Sequence, residues 1–373
     1  MTAPDPSRPD RPGSLRQFLG VLGLTLVFLV VLDVMVAGLL GLAQSRGVAG
    51  SLVRYFEYGR SVPGKLEAWQ AAPEAQGNLF DVGWIEAQLN DSLTGPDAPG
   101  GVVRSYGMSF VDNILRQAVA ADPALAVDRH AGPGAPPNYT YAVFLDDHLH
   151  RQAGDVAVLG ILSSSVPSLA ALSNRTWVFE QPAPYTYPVF TPAQDGGLSR
   201  IDPLITSPAQ ERALAQDPAA EAAWTAQLAQ EDAFYGAPTF GATALDVSPF
   251  ARLVRRALAK SHVSDRKTAV LAGGFPYAQV LSRMVTGFAE QAQTEGVYPV
   301  VFLIQTRDPN DPDLLAVLGP VLQEHGIPYL ATAEHVDPRD PTAFVGDGHY
   351  THDNDRLFAE AFLRLMATRS AAQ

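Results

Sequence analysis

The chain has 373 residues, of which 47% are hydrophobic and 17% are charged, and its formal net charge is −13. This composition is typical of a folded protein with a sizeable core, and the acidic balance without a Lys/Arg-rich stripe argues against nucleic acid as a partner. Because the chain contains no cysteine, disulfides and thiolate metal sites are excluded.

The N-terminus is predicted to be a disordered tail followed by a membrane helix. Residues 1–17 are rich in Pro, Asp and Arg, and residues 18–43 form an apolar run longer than the roughly 20 residues needed to cross a bilayer. The one charge in this run is Asp33, and a carboxylate near the middle of a spanning helix costs on the order of 3 kcal/mol. Asp33 is either tolerated there or pairs with a membrane partner helix.

A cleaved signal peptide is the alternative to an anchor. Arg8, Arg11 and Arg16 would form its basic region, and residues 41–43 resemble a cleavage site, but the apolar run is long for a signal peptide. Basic residues on both sides of the helix leave the positive-inside count undecided, and the short N-terminal tail favours a cytoplasmic N-terminus. We therefore expect a single-pass inner-membrane protein whose large domain is extracytoplasmic (periplasmic).

Residues 44–100 are predicted to be a juxtamembrane segment and linker. Within them, residues 51–70 are aromatic and basic enough to lie at the membrane surface or to dock onto the main domain. The sequence TGPDAPGG at residues 94–101 predicts a domain boundary.

Residues 101–373 alternate short β-branched runs with helical patterns, which predicts an α/β domain with a central parallel sheet. The predicted strands are 102–105, 125–128, 155–162, 297–305 and 328–332, and the predicted helices are 110–120, 313–325 and 354–366. An insertion near 174–260 contains the aromatic segment WVFEQPAPYTYPVF. It either shapes a substrate cleft or caps the core.

Ser109 follows the first predicted strand and precedes a helix. A serine there is held rigidly, and the N–H groups at the helix N-terminus can stabilise a developing oxyanion. Turns of this kind often contain Gly and Ser for conformational reasons alone, so Ser109 is a weak signal by itself.

The last loop before the C-terminal helix contains Asp347 and His349. In an extended stretch this spacing puts both side chains on one side, so the aspartate can orient the imidazole as a base for a serine. An ordinary surface His–Asp pair is the simpler reading of this motif alone. Gly132 and Gly134 flank a proline after the second strand, where the backbone can approach a ligand closely or simply turn.

In this order, the motifs resemble the blocks of the SGNH (GDSL-like) hydrolase superfamily, over about residues 101–366. The resemblance implies a flavodoxin-like three-layer α/β/α sandwich, with Ser109 as nucleophile and Asp347 and His349 as the triad acid and base. It also implies that Gly132 or Gly134 supplies an oxyanion N–H. The form Asp-x-His before a helix looks most like membrane-associated SGNH-like proteins that handle acyl groups on cell-surface polysaccharides.

Two positions depart from the family pattern. Met108 stands where an aspartate usually precedes the nucleophile, and the third block offers Gly160 without the asparagine that should follow. Ser163, Ser164 or the more distant Asn174 are the residues that could replace that oxyanion donor. Loss of one such donor typically costs about a hundredfold or more in rate.

Two other hydrolytic sites fit less well. The classical elbow G-x-S-x-G lacks its second glycine here. A zinc site would combine His148 and His150 with Asp146 or Asp147, and with His349 and His352, but the first two histidines would point apart on a helix. Four further histidines without a partner pattern are expected at the surface or in loops: His130, His262, His325 and His335. Arg307, after a strong predicted strand, could bind a substrate carboxylate or cap a helix.

The sequence thus predicts a membrane-tethered serine esterase that removes an acyl group, such as acetyl, from a carbohydrate or envelope glycan. It requires no cofactor and no metal. Two alternatives remain open: an O-acyltransferase that uses the same residues, and a non-catalytic glycan-binding or assembly protein with this fold. The expected partners are a small-molecule or glycan ester, the membrane, and a membrane protein at Asp33.

Overall fold

A computed structural model describes residues 15–48, 60–70, 79–90, 101–148 and 150–372. The predicted tail up to residue 14, residues 51–59 of the segment 51–70 and residues 94–100 of the predicted boundary lie outside these residues.

The described part contains one long N-terminal helix, short helices before the first strand, and an alternation of strands and helices. The helices are α1 Leu15–Ser45, α2 Val62–Gln70, α3 Leu79–Val82, α4 Ile85–Asn90, α5 Ser109–Ala121, α6 Pro137–Asp146, α7 Asn174–Trp177, α8 Pro208–Leu214, α9 Pro218–Glu231, α10 Ala237–Phe240, α11 Pro249–Ala269, α12 Tyr277–Thr294, α13 Leu314–Glu324 and α14 His352–Ala372. The strands are β1 Val103–Met108, β2 Val127–Gly132, β3 Val156–Leu162, β4 Val189–Pro192, β5 Leu198–Ile201, β6 Tyr298–Ile304 and β7 Tyr329–Ala331.

The predicted α/β architecture with a central parallel sheet is confirmed. Five parallel strands lie in the order β2-β1-β3-β6-β7, and β4 and β5 form a separate antiparallel pair. Helices α5 and α14 pack together, and α12 packs on α6, α13 and β6. Right-handed crossovers place α5 on one face of the sheet and α6, α12 and α13 on the other. The carboxyl ends of all five strands therefore lie at one edge.

Strand β3 is the centre of this sheet. All of its residues are buried, as expected for a parallel strand covered by helices on both faces. It contains Gly160, where a Cβ atom would lie 2.5 Å from Val111 Cγ2 and 3.2 Å from Gly107 Cα. The glycine therefore lets α5 and β1 come close to β3.

The second strand runs from Val127 to Gly132 and not from 125 to 128 as predicted. Its inward-facing residues include Asp128 and His130, both 1% exposed, so it lacks an apolar pattern. Arg104 binds Asp128 at 2.6 Å, which compensates part of the buried charge. Buried polar residues thus stand where apolar residues would have marked the strand in the sequence.

The residues before the sheet pack onto the domain. Val62, Leu66 and Trp84 are buried, and Lys65 donates a hydrogen bond to the carbonyl of Phe179 at 2.6 Å. Burial lowers the pKa of Lys65 to about 6. Residues 60–70 therefore dock onto the main domain, which is one of the two positions expected for the juxtamembrane segment.

Helix α1 is long and apolar enough to cross a membrane. Its one carboxylate has partners in this chain: Asp33 Oδ1 accepts hydrogen bonds from Ser248 Oγ at 2.7 Å and from the N–H of Phe250 at 2.8 Å. The carboxylate thus caps the N-terminus of α11, where the helix dipole favours a negative charge.

Candidate active site

Ser109 is the first residue of α5 and follows directly on β1. Met108 precedes it as the N-terminal flanking residue and makes no side-chain hydrogen bond to the first turn. The first N–H groups of a helix have no partners within the helix. The turn therefore places the Ser109 hydroxyl beside backbone donors that no capping side chain occupies.

His349 reaches this hydroxyl from the other end of the chain. Its Nε2 lies 2.6 Å from Ser109 Oγ, and its Nδ1 lies 3.1 Å from Asp347 Oδ1. Asp347 Oδ1 also accepts a hydrogen bond from the backbone N–H of His349 at 3.0 Å. The three residues thus form a continuous Ser–His–Asp line in the geometry that proton transfer requires.

The loop that carries His349 is held at both of its ends. Gly348 has a φ of +94°, which turns the chain between Asp347 and His349. The N–H of Val345 donates to the carbonyl of His349 at 2.8 Å, and Phe344 forms an antiparallel bridge with Tyr350. This short bridged loop fixes the position of the imidazole relative to the sheet.

The His349 imidazole packs on Phe110, which in turn packs on Tyr350. The Phe110 ring lies 4.6 Å from the His349 ring, and Tyr350 packs edge-on against Phe110 at 5.9 Å. The Tyr350 hydroxyl donates to the carbonyl of Gln305 at the end of β6. Phe110 was not predicted as a site residue, although its place directly after the serine was a usable signal.

The side of the site that contains Asp347 is open to solvent. Asp347 is 69% exposed and His349 is 29% exposed. Hydrogen bonds from the backbone and side chain of His349 lower the pKa of Asp347, so this carboxylate is ionised at neutral pH. An ionised partner favours a proton on Nδ1 and leaves Nε2 free to accept the serine proton.

The Gly132–Gly134 loop lies beside Ser109 in the sheet, because Gly132 pairs in register with Met108. Gly134 has a φ of +55°, and Tyr185 donates from its hydroxyl to the carbonyl of Pro133 at 2.9 Å. In a trans peptide the C=O and the next N–H point in opposite directions. Tyr185 therefore fixes the direction of the Gly134 N–H.

Tyr185 belongs to the aromatic segment of the insertion and was not predicted individually. Its ring fills the space beside Gly83, where a Cβ atom would lie 2.2 Å away. Burial raises its pKa, so the phenol remains a hydrogen-bond donor. This part of the insertion thus contacts the glycine loop, and no local pattern in the sequence pairs the two.

The three predicted replacements for the missing asparagine lie in different places. Ser163 is fully buried, accepts from the N–H of Thr306 at 2.9 Å and lies 2.7 Å from its hydroxyl. The Thr306 hydroxyl donates its proton to Asp311, so its oxygen accepts the proton of the Ser163 hydroxyl. Ser163 therefore does not direct its proton to an oxyanion. Asn174 Oδ1 accepts from the N–H of Ala183 at 2.8 Å and organises the insertion. Ser164 is half-buried at the carboxyl edge of β3.

The residues considered for zinc are separated by the fold. His148 and His150 follow α6 at the amino edge of the sheet, where His150 Nδ1 pairs with Asp147 at 2.5 Å. His349 and His352 lie at the carboxyl edge. Among the described residues, His, Cys, Asp and Glu form no group of three or more arranged to bind a metal ion.

His130 lies buried in β2, so the predicted surface or loop position is wrong for this residue. Its Nδ1 is 2.8 Å from the carbonyl of Gln88, and its ring stacks on Tyr106 at 5.2 Å. Burial opposes its protonation, but the hydrogen bond and charge of Asp128 and the charge of Asp147 raise the pKa of His130. The residue attaches α4 to the sheet.

Fold and site together define an α/β protein with a parallel five-stranded sheet and a Ser–His–Asp line at its carboxyl edge. Comparison of the chain with protein-family models, curated proteins and solved structures found no match.

Proposed function

We propose that this chain is a membrane-tethered serine esterase of the SGNH type, which removes an acyl group from a carbohydrate or envelope glycan. The observation that carries the proposal is the 2.6 Å contact between Ser109 Oγ and His349 Nε2, continued by Asp347. Ser109 and His349 are 240 residues apart in the chain, and their contact has the order nucleophile, base and orienting acid.

The topology supports the same class. The strand order β2-β1-β3-β6-β7 corresponds to the order 2-1-3-4-5 of flavodoxin-like sheets. In open parallel sheets of this kind, ligands bind at the carboxyl edge near the point where the strand order reverses. Here the order reverses between β1 and β3, and Ser109 follows β1 directly.

In the proposed mechanism, His349 Nε2 takes the proton of Ser109 Oγ while this oxygen attacks the ester carbonyl carbon. The N–H groups of Ser109 and Gly134 stabilise the oxyanion, and the dipole of α5 adds to this. The tetrahedral intermediate collapses, the alkoxide leaves with the proton from His349, and an acyl-Ser109 remains.

Deacylation repeats these steps with water. His349 takes a proton from the water as it attacks the acyl carbon, and Ser109 leaves with that proton restored. A sugar hydroxyl in place of water would give O-acyl transfer through the same residues. The exposure of Asp347 and His349 supports a large substrate such as a glycan chain, because solvent reaches both side chains.

Covalent labelling tests the proposal directly. The full-length protein in detergent is treated with a fluorophosphonate probe, alongside Ser109→Ala and the control Ser261→Ala, which removes an exposed hydroxyl on α11. We expect labelling and p-nitrophenyl acetate hydrolysis in the wild type and in Ser261→Ala, and loss of both in Ser109→Ala. A wild type that neither labels nor hydrolyses the ester, or a Ser109→Ala protein that does both, contradicts the proposal.

We further propose that the large domain is extracytoplasmic. A phosphatase reporter that is active only outside the cytoplasm is fused after Gln373, and a cytoplasm-active reporter at the same position is the matched control. Activity of the second reporter alone contradicts this orientation.

A further inference from the structure

Helix α1 changes its surroundings part of the way along its length. Every residue of 15–31 is exposed, whereas Leu32 and Asp33 are half-buried and Leu40 is buried. At a rise of about 1.5 Å per residue, the exposed stretch covers about 25 Å, close to the roughly 30 Å hydrocarbon core of a bilayer. Helix α1 packs on α11, and beyond Asp33 it is covered on one side only, because Val34 (67%), Met35 (54%), Leu39 (64%) and Leu42 (48%) remain exposed.

The change of surroundings coincides with a polar contact. Asp33 accepts from Ser248 Oγ and from the N–H of Phe250, and Ser248 Oγ accepts in turn from the N–H of Ala251 at 3.0 Å. A carboxylate and a helix start are costly in hydrocarbon but ordinary at its polar boundary. Asp33 therefore holds the start of α11 against α1.

An exposed apolar surface lies beside the part of α1 that precedes Asp33. The 3-10 turn Ala244–Val247 and the first half of α11 expose Leu245 (66%), Val247 (84%), Val254 (44%) and Leu258 (57%). Val254 and Leu258 are four residues apart and share one helix face. These four residues are called the apolar shelf below.

The shelf continues into the membrane helix. Leu26, Leu29 and Val30 of α1 line a cavity of about 580 Å³ together with three shelf residues, Leu245, Val254 and Leu258. These three α1 residues precede Asp33 and are exposed to 55%, 42% and 62%, respectively. The shelf thus adjoins the surface that a bilayer would cover.

We infer that the apolar shelf is a membrane-docking surface, and that its partner is the lipid bilayer that α1 spans. The shelf lies against the bilayer on the side of the large domain, beside Leu26, Leu29 and Val30 of α1. Amphipathic surface helices bind a bilayer through their apolar face in this way. The inference does not depend on the esterase proposal.

Single-cysteine labelling suits the test, because the chain contains no native cysteine. V247C and L258C are made in the full-length protein, labelled with an environment-sensitive nitrobenzoxadiazole probe and reconstituted in phosphatidylcholine vesicles. L204C is the matched control, since Leu204 is a 53% exposed leucine in the insertion that does not line the cavity. Each protein is measured with and without lipids brominated near the headgroup.

We expect brominated lipid to quench the probe at 247 and 258 by about half or more, and to leave the probe at 204 unchanged. Equal, weak quenching at all three positions would show that the shelf faces water. A blue-shifted but unquenched probe at 247 and 258 would show that protein, such as a second copy, covers the shelf. Either result overturns the inference. Unchanged melting of the labelled proteins shows that the fold is retained.

Discussion

Replacement of Tyr185 by phenylalanine isolates the role of the glycine loop. The substitution removes the hydroxyl that donates to the Pro133 carbonyl at 2.9 Å and leaves the ring in place. A buried carbonyl that loses its donor costs about 1–3 kcal/mol, and the half-buried carbonyl of Pro133 should lie at or below the lower end of this range. The same peptide unit carries the Gly134 N–H, and loss of one oxyanion donor costs about a hundredfold or more in rate. Because Tyr185→Phe loosens this donor without removing it, we expect kcat to fall by about 10- to 100-fold with little change in KM.

The chain offers a matched control in Tyr139. Its ring lies 6.4 Å from that of Tyr185, and its hydroxyl is buried with no hydrogen-bond partner among the described residues. Tyr139→Phe removes the same atom from the same region without breaking a hydrogen bond. We expect it to leave kcat unchanged and to keep or raise the melting temperature.

The assay is p-nitrophenyl acetate hydrolysis by the full-length protein in detergent, with melting followed by circular dichroism. If Tyr185→Phe lowers the melting temperature but leaves kcat as it was, the loop does not orient an oxyanion donor. If Tyr139→Phe loses as much activity as Tyr185→Phe, packing around the loop explains the effect and the hydrogen bond does not.

Three further outcomes follow from the structure. Gly132→Ala should lose about 1–3 kcal/mol in denaturant unfolding, because its Cβ would lie 2.5 Å from the buried ring of Tyr139; an unchanged midpoint contradicts this. Burial raises the pKa of Asp355 to about 7, so its ionisation destabilises the fold as pH rises from about 4 to 7. Asp355→Asn should therefore gain on the order of 1–3 kcal/mol at pH 8 and nothing at pH 3.5, and a pH-independent gain refutes the assignment. Asp347→Asn should lower kcat by about 10²- to 10⁴-fold while His349 stays in place, as esterase kinetics would show.

The sheet could be predicted to the extent that its strands are apolar. The runs at β3 and β6 are buried throughout or nearly so, and their predicted limits agree with the structure to within about one residue. Strand β2 was placed too early because Asp128 and His130 are buried polar residues that contact Arg104 and the carbonyl of Gln88, both from other elements. No local pattern reports a partner that is remote in sequence.

The long helices α11 and α12 were not predicted. Helix α11 is polar overall, and part of its surface lies on α1, which is more than 200 residues earlier. The expected surface position of His130 failed for a similar reason. For the site, Ser109, Asp347 and His349 followed from motif spacing, whereas the contact of Tyr185 with the glycine loop depends on the path of the insertion.

The contact between α1 and α11 determines how the large domain is oriented relative to α1. Asp33 is hydrogen-bonded to the start of α11, and Leu40, two turns later, is buried. These hydrogen bonds fix the position of α1 relative to the start of α11. One residue inserted into α1 before Asp33 would turn the preceding part of the helix by about 100° relative to α11. The rotational setting of the domain relative to the N-terminal part of α1 therefore depends on the number of residues between that part and Asp33.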